Sequence, residues 1–164
     1  MNNCRIRKAT AMEMLKLWGY SDISDASPTA KYFYNNIEAG NADFWTADNN
    51  GELVGELYVF LNMADKDFAD GKNTAYLCAF RVNEEHRGQG IGTGLVQNAL
   101  NDLSKRGFHS VTIGVEESEE RNVKLYKRLG FNTRIKECHE DPCAMTKEMR
   151  PDSCSPFWLL QKTL

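Results

Sequence analysis

Hydrophobic positions change their spacing several times along this chain, and each change marks a predicted element. Ile6 to Ala9 reads as a short strand. Thr10 and Glu13 stand just ahead of an apolar run as a capping box, each side chain satisfying the other's orphan N–H group. They predict a helix to about Trp18, with Gly19 as its stop. Ser27-Pro28 supplies the cap and first-turn proline of a second helix. In it Ala30, Phe33, Tyr34 and Ile37 fall at i, i+3, i+4 and i+7 and form one buried stripe.

The period then shortens. Phe44 to Asp48 and Leu53 to Leu61 flank Asn49-Asn50-Gly51 and read as an antiparallel hairpin, with Val54, Glu56, Tyr58 and Phe60 on one strand face. Ala75 to Val82 is almost wholly apolar, as expected of a strand covered on both faces. Ile91, Leu95, Val96, Ala99, Leu100 and Leu103 trace one face of a helix that ends at Lys105-Arg106-Gly107. Val111, Ile113 and Val115 alternate in the next strand. Ser118 is placed to cap a further helix with Glu119 and Glu120 in its first turn and Lys127, Arg128 and Gly130 at its end. A strand from Phe131 to about Cys138, a loop holding Pro142, Pro151 and Pro156, and a strand from Phe157 to Gln161 complete the chain. The order β-α-α-β-β-β-α-β-α-β-β predicts an α/β sandwich with a mixed sheet.

Composition narrows the reading. A chain of 164 residues suits one domain across residues 1–164. The net charge of -3, with no long run of like charges, argues against nucleic acid or a membrane surface as partner. Residues Met1-Asn2-Asn3-Cys4-Arg5 lack an apolar leader and no stretch approaches a membrane span, so a cytoplasmic protein is expected. Five cysteines, an odd number without a compact framework, fit reduced thiols. Cys138-His139, Cys143 and Cys154 lack paired C-x-x-C knuckles, and the loop from Asp65 to Gly71 misses the calcium-loop spacing, with Tyr76 where an acidic ligand belongs; no metal is expected.

The most informative stretch is Arg87-Gly88-Gln89-Gly90-Ile91-Gly92, because it joins an apolar strand to an amphipathic helix. Small residues let the backbone approach phosphate oxygens, and the unpaired N–H groups of the first helical turn, with the helix dipole, favour an anion. Arg87 adds a positive fork. The spacing excludes two common anion sites. Counting G-x-G-x-x-G from Gly88 reaches Thr93 and from Gly90 reaches Leu95, so no dinucleotide fingerprint is present; no lysine lies between Lys72 and Lys105, so there is no P-loop.

What remains, R-x-x-G-x-G preceded by Phe80 to His86, resembles the segment of the GNAT superfamily of N-acetyltransferases that binds the pyrophosphate of acetyl coenzyme A. Downstream, Arg121-Asn122-Val123-Lys124-Leu125-Tyr126-Lys127-Arg128-Leu129-Gly130-Phe131 is similar to that family's "N…LY…GF" helix, in the family's order and separation. The resemblance implies a GNAT-like mixed, mostly antiparallel sheet with helices on both faces. It also implies acetyl coenzyme A as co-substrate without a metal, and acetyl transfer to a primary amine of a small molecule or peptide by direct attack through a tetrahedral intermediate. The implied cofactor-binding residues are Phe80, Val82, Arg87, Gly88, Gln89, Gly90, Ile91, Gly92, Thr93 and Asn122. Phe80 and Val82 would pair with the pantetheine arm through their backbone.

Tyr126 occupies the position of the family's tyrosine that protonates the departing thiolate; its spacing with Leu125 and Leu129 equally suits a core aromatic. Glu119 stands where many members carry an asparagine that contacts the cofactor, which motivates an alternative: a non-catalytic acyl-coenzyme-A-binding domain. The strand from Ala75 to Val82 holds no carboxylate or histidine, leaving Glu56, Glu116 and Glu117 for the general base. Glu56 either points into a partly apolar site, where its pKa would rise toward a useful value, or sits exposed at a sheet edge. Without a strong base, an α-amine with about one molecule in seven neutral at pH 7 is an easier acceptor than a lysine with about one in 2,500. Phe157, Trp158, Leu159 and Leu160 suit either a homodimer contact or an ordinary buried edge strand.

Overall fold

A computed structural model describes residues 4–164. Residues 1–3, on which part of the no-leader expectation rests, lie outside the described residues. The elements are β1 (Arg5–Ala9), α1 (Ala11–Leu17), α2 (Pro28–Glu38), β2 (Ala42–Asn49), β3 (Glu52–Phe60), β4 (Thr74–Val82), α3 (Ile91–Lys105), β5 (Ser110–Val115), α4 (Glu120–Arg128), β6 (Thr133–Met145) and β7 (Pro151–Thr163). Their order is the predicted one. They build one seven-stranded sheet, β1-β2-β3-β4-β5-β7-β6, in which β4 and β5 are parallel and the other pairs antiparallel. Among the described residues no helix is long and apolar enough to cross a membrane.

Helices cover both faces. α3 sets Ile91, Leu95, Val96, Ala99 and Leu103 against Val54, Leu57, Val59, Leu77 and Ile113, and Tyr126 of α4 joins the same cluster. On the opposite face Met14 of α1 and Phe33 of α2 pack against Phe44, Tyr58, Phe60 and Tyr76. The capping box forms as read: Glu13 N–H donates to Thr10 Oγ1 at 3.1 Å and Thr10 N–H to Glu13 Oε1 at 3.2 Å. Ser27 caps α2 through the Ala30 N–H at 3.1 Å.

Four local expectations need correction. Val54 shares the α3 face with Leu57 and Val59, not the face of Glu56, because the β2–β3 register slips between Ala47 and Asp48 and gives β3 an extra residue there. Ser118 does not cap α4: Glu119 is the N-cap residue and turns its carboxylate back to the Glu116 N–H at 2.9 Å. β4 is covered on both faces only through Leu77, and beyond it burial alternates.

The fourth concerns the tail. The proline-bearing loop is mostly strand. β6 and β7 form a long hairpin whose register slips three times, and the slip between Asp141 and Met145 spans Pro142, which has no N–H to give to a ladder. β7 lies between β5 and β6, so Phe157 to Leu160 belong to an interior strand and β6 is the edge. Phe157 to Leu160 therefore are not the buried edge strand that the sequence suggested as the alternative to a dimer contact.

Candidate active site

Among the described residues the sheet has one parallel pair, and it opens there. β4 and β5 are bonded from Thr74↔Ser110 to Leu77↔Ile113 and then part, although β4 runs on to Val82 and β5 to Val115. On its other side β4 carries a bulge: Tyr58 pairs with Cys78 and Glu56 with Arg81, so three steps of β4 face two of β3. Ala79, inside the bulge, has φ of 50°, a left-handed conformation that costs an alanine about 1–3 kcal/mol. The extra residue sets which way the peptide groups point. Asn83 donates its N–H to the Val54 carbonyl at 2.9 Å, so alternation turns the N–H and C=O groups of Val82 and Phe80 away from β3, into the gap. There the Val82 carbonyl accepts from Arg87 Nε at 3.0 Å.

At one end of the gap stands the N-terminus of α3. Its N-cap, Gly90, has φ of 81° and offers no side chain, and the first intrahelical bond is Gly94 N–H to the Gly90 carbonyl. The N–H groups of Ile91, Gly92 and Thr93 are thus the orphan donors of the first turn. Gly92 allows α3 to come close: a Cβ there would lie 2.9 Å from Phe80 Cζ. A cavity of about 900 Å³ opens over this turn, lined by Arg87, Gly88 and Gly90 to Thr93 and, from α4 and its cap, by Arg121, Lys124 and Arg128 together with the carboxylates of Glu119 and Glu120. Those three α4 cations sit at i, i+3 and i+7, one helix face, and the spacing was available in the sequence as a sign that the positive field extends beyond Arg87. Uncapped N–H groups, close backbone and converging cations fit a polyphosphate.

A second cavity, of about 390 Å³, passes through the gap. On the α4 side Asn122, Glu119 and Tyr126 line it; on the α2 side Thr29, Phe33, Cys78 and Cys143 do. Tyr126 is 4% exposed, and burial, reinforced by the Glu119 carboxylate, holds its phenol above the ordinary range, so it keeps its proton at neutral pH. A third cavity, of about 570 Å³, opens on the α1 face between Trp18, Tyr20, Phe80 and Arg81, with Glu56 in its wall. Trp18, Ala79 and Phe80 line both of these cavities, so the two adjoin across the bulge.

Glu56 is 5% exposed and sits on an interior strand. Burial raises its pKa, and Arg81, with Nη2 3.3 Å from Oε2, holds part of the rise back. Two polar atoms beside it are buried and unpartnered, Trp18 Nε1 and Tyr58 Oη. The Trp18 N–H lies near enough to favour the charged carboxylate while forming no hydrogen bond of its own. From sequence Trp18 marked the end of a helix and Tyr58 shared the strand face of Glu56.

The remaining predicted residues are less central. Gln89 is exposed and is not among the residues lining the α3 cavity, and Ile91 contributes its backbone while its side chain is buried under β3. Glu116 lines the gap cavity; Glu117 instead accepts from Trp158 Nε1 at 3.0 Å. Asp65 and Asp67 both meet Lys136 Nζ, at 2.6 and 3.1 Å. Among the described residues no group of three or more His, Cys, Asp or Glu is disposed to hold a metal.

A protein-family model described as the acetyltransferase (GNAT) family matches residues 10–131. N-acetyltransferase 8 of Rattus norvegicus is 31% identical over 88 residues, covering 54% of this chain and 38% of that protein. N-alpha-acetyltransferase 30 of Schizosaccharomyces pombe is 29% identical over 112 residues, covering 67% of this chain and 70% of that one. The chain spans less than half the length of the rat and mouse relatives it matches. A GNAT family acetyltransferase from Elizabethkingia anophelis, solved with acetyl-CoA bound, superposes with a TM-score of 0.64 at 19% identity over 100% of both chains. Ribosomal-protein-alanine N-acetyltransferase from Brucella melitensis superposes with a TM-score of 0.66 at 17% identity over 98% of this chain and 99% of that one.

Proposed function

The chain belongs to the acetyltransferase (GNAT) family, and from that premise we propose that it is an N-acetyltransferase moving an acetyl group from acetyl coenzyme A to a primary amine of a small molecule or peptide. One observation carries the reading: a cavity running through the split sheet joins a cationic, open-backbone cradle on the α3–α4 side to a buried carboxylate on the α1 side. Donor and acceptor enter from opposite faces and meet at the bulge.

The division of labour follows from the geometry. Arg87, the first-turn N–H groups of α3 and the cations of α4 hold the phosphates of the donor. The backbone of Phe80 and Val82, turned into the gap, receives the pantetheine arm as a short extra strand, and the Phe80 N–H donates to the thioester oxygen as charge builds on it in the tetrahedral intermediate. Asn122 lines the route and contacts the arm's amides.

Glu56 takes the proton of the attacking amine. Its burial strengthens it as a base, and Arg81 opposes the rise by favouring the charged carboxylate. Tyr58 Oη can accept from the acceptor ammonium. Tyr126 donates a hydrogen bond to the departing thiolate. Complete transfer of its proton runs uphill, since a thiol near 8.5 is the stronger acid and burial raises the phenol further above 10.

The test is calorimetric titration with acetyl coenzyme A, followed by release of coenzyme A in the presence of a panel of primary amines. Binding that is lost in an Arg87→Ala, Gly90→Asp double variant, with turnover lost in Glu56→Gln, is the expected result. Binding without turnover of any amine would leave an acyl-coenzyme-A-binding domain in place of an enzyme.

A further inference from the structure

The β6–β7 hairpin reaches back over the sheet. Its bulged half docks on α2, where the Met145 N–H donates to Thr29 Oγ1 at 3.0 Å, and it brings Cys143 of β6 against Cys78 of β4 with the two sulfurs 3.6 Å apart. In the sheet these strands are separated by β5 and β7, so only the fold-back allows the contact. Both cysteines line the cavity that passes through the gap, and Cys78 is the residue immediately before the bulge at Ala79. Cys78 is half-buried and reachable from that cavity; Cys143 is 4% exposed.

We infer that Cys78 and Cys143 form a dithiol that a small hydroperoxide closes to a disulfide, strapping the hairpin to β4 across the acceptor side of the acyl cavity. The Cys78 thiolate attacks the peroxide oxygen, breaking the O–O bond and releasing hydroxide or alkoxide, and becomes a sulfenic acid. Cys143 then attacks the Cys78 sulfur; the S–S bond forms, the S–O bond breaks, and the hydroxyl leaves as water with the Cys143 proton. Two thiols are oxidised and one peroxide is reduced. Closing the contact to a bonded distance of about 2.05 Å brings the two sulfurs about 1.5 Å closer, a movement shared between side-chain rotation and the backbones of β4 and the hairpin.

The position of the strap defines what it changes. It lies on the α2 side of the gap, away from the α3 N-terminus and the α4 cations, so donor phosphates bind as before while the bulge beside the acceptor is displaced. The consequence for catalysis rests on the acetyltransferase reading; the chemistry of the two thiols does not. A displacement on the scale of 1 Å at reacting groups lowers turnover by about a hundredfold.

The full chain is treated with hydrogen peroxide, alkylated, digested and mapped by mass, with dithiothreitol reversal and with Cys78→Ser and Cys143→Ser variants alongside. A Cys78–Cys143 link in the native protein that is absent from both variants and reversed by dithiothreitol is expected. Calorimetry should show acetyl coenzyme A still bound through its phosphates, and amine-dependent turnover should fall by about a hundredfold, more than affinity does, and return on reduction. Sulfinic acid at Cys78 without a link, or links made through Cys138 or Cys154, would overturn the dithiol. A link that leaves turnover unchanged would overturn its regulatory role. If no amine is acetylated by the reduced protein, the mass map still decides the dithiol while the function proposed above falls separately.

Discussion

Arg81 Nη2 lies 3.3 Å from Glu56 Oε2, and the two residues pair across β3 and β4 directly beside the bulge at Ala79. The Glu56 side chain is buried and the Arg81 side chain largely exposed, so the pair joins a desolvated acid to a solvated cation. Burial lifts the carboxyl pKa and the guanidinium lowers it. Removing Arg81 leaves burial unopposed.

Arg81→Met is therefore expected to move the acidic limb of the kcat/KM–pH profile to higher pH, because the base must lose its proton to act, while Arg81→Lys moves it less. A pH–rate profile checks this, and an unshifted limb would assign the base elsewhere. Glu56→Gln should lower kcat by about 10²–10⁴-fold.

Tyr126→Phe removes the hydrogen bond offered to the leaving thiolate and keeps the ring that packs against Phe131 and Phe80. The expected outcome is kcat reduced by about tenfold or more with acetyl-coenzyme-A affinity nearly unchanged, read by steady-state kinetics beside calorimetry. Equal loss of affinity and turnover would mark the phenol as a packing group.

Gly92→Ala places a methyl group 2.9 Å from Phe80 Cζ and 3.6 Å from Val82 Cγ2. The new contact forces the Phe80 ring or the α3 turn to shift where the donor would lie. Overpacking of this kind costs about 1–3 kcal/mol of folding stability, so the melting temperature should fall, and calorimetry beside it should show weaker acetyl-coenzyme-A binding if the turn must stay close to β4 to hold the donor.

Charge reversal on the α4 stripe, Lys124→Glu with Arg128→Glu, should weaken acetyl-coenzyme-A binding and flatten its dependence on ionic strength. Titrations at low and high salt measure both. An unchanged salt slope would show that the stripe does not face the phosphates.

Thr10→Ala removes half of the capping box and should cost about 1 kcal/mol, or about 2–4 °C in Tm. The Glu13 carboxyl is held below its ordinary pKa, first by its hydrogen bond to Arg7, with the Thr10 N–H adding to it. Its contribution to stability is present above the carboxylate pKa of the unfolded chain and is lost as pH falls through the lower folded value. The melting temperature of the native chain should drop over that acidic window, less steeply in Glu13→Gln.

Most elements were legible because each rests on local chemistry. Thr10 with Glu13, Ser27 with Pro28, and the apolar stripe from Ile91 to Leu103 announce their helices within a few residues. What escaped depends on partners distant in sequence. The faces of Val54 and Glu56 diverge because of a register slip against β2, and the strand at Pro142 exists because β7 runs beside it. The site follows the same division. The glycine turn was visible, but the gap arises only where β5 stops pairing with β4, and the environment of Glu56 comes from Tyr58 on its own strand together with Trp18 and Arg81 from two other stretches of chain.

The insertion of β7 between β5 and β6 also constrains the order in which the molecule can be assembled. During synthesis residues 133–145 emerge before 151–163, yet the sheet offers β6 no neighbour except β7. Until the later segment arrives, β6 has nowhere to dock and β5 presents Val111, Ile113 and Val115 along an open edge, an invitation to pairing with other chains. The strands β1 to β4 are contiguous in the chain and adjacent in the sheet, whereas the half built from β5, β6 and β7 is incomplete until residues 151–163 insert.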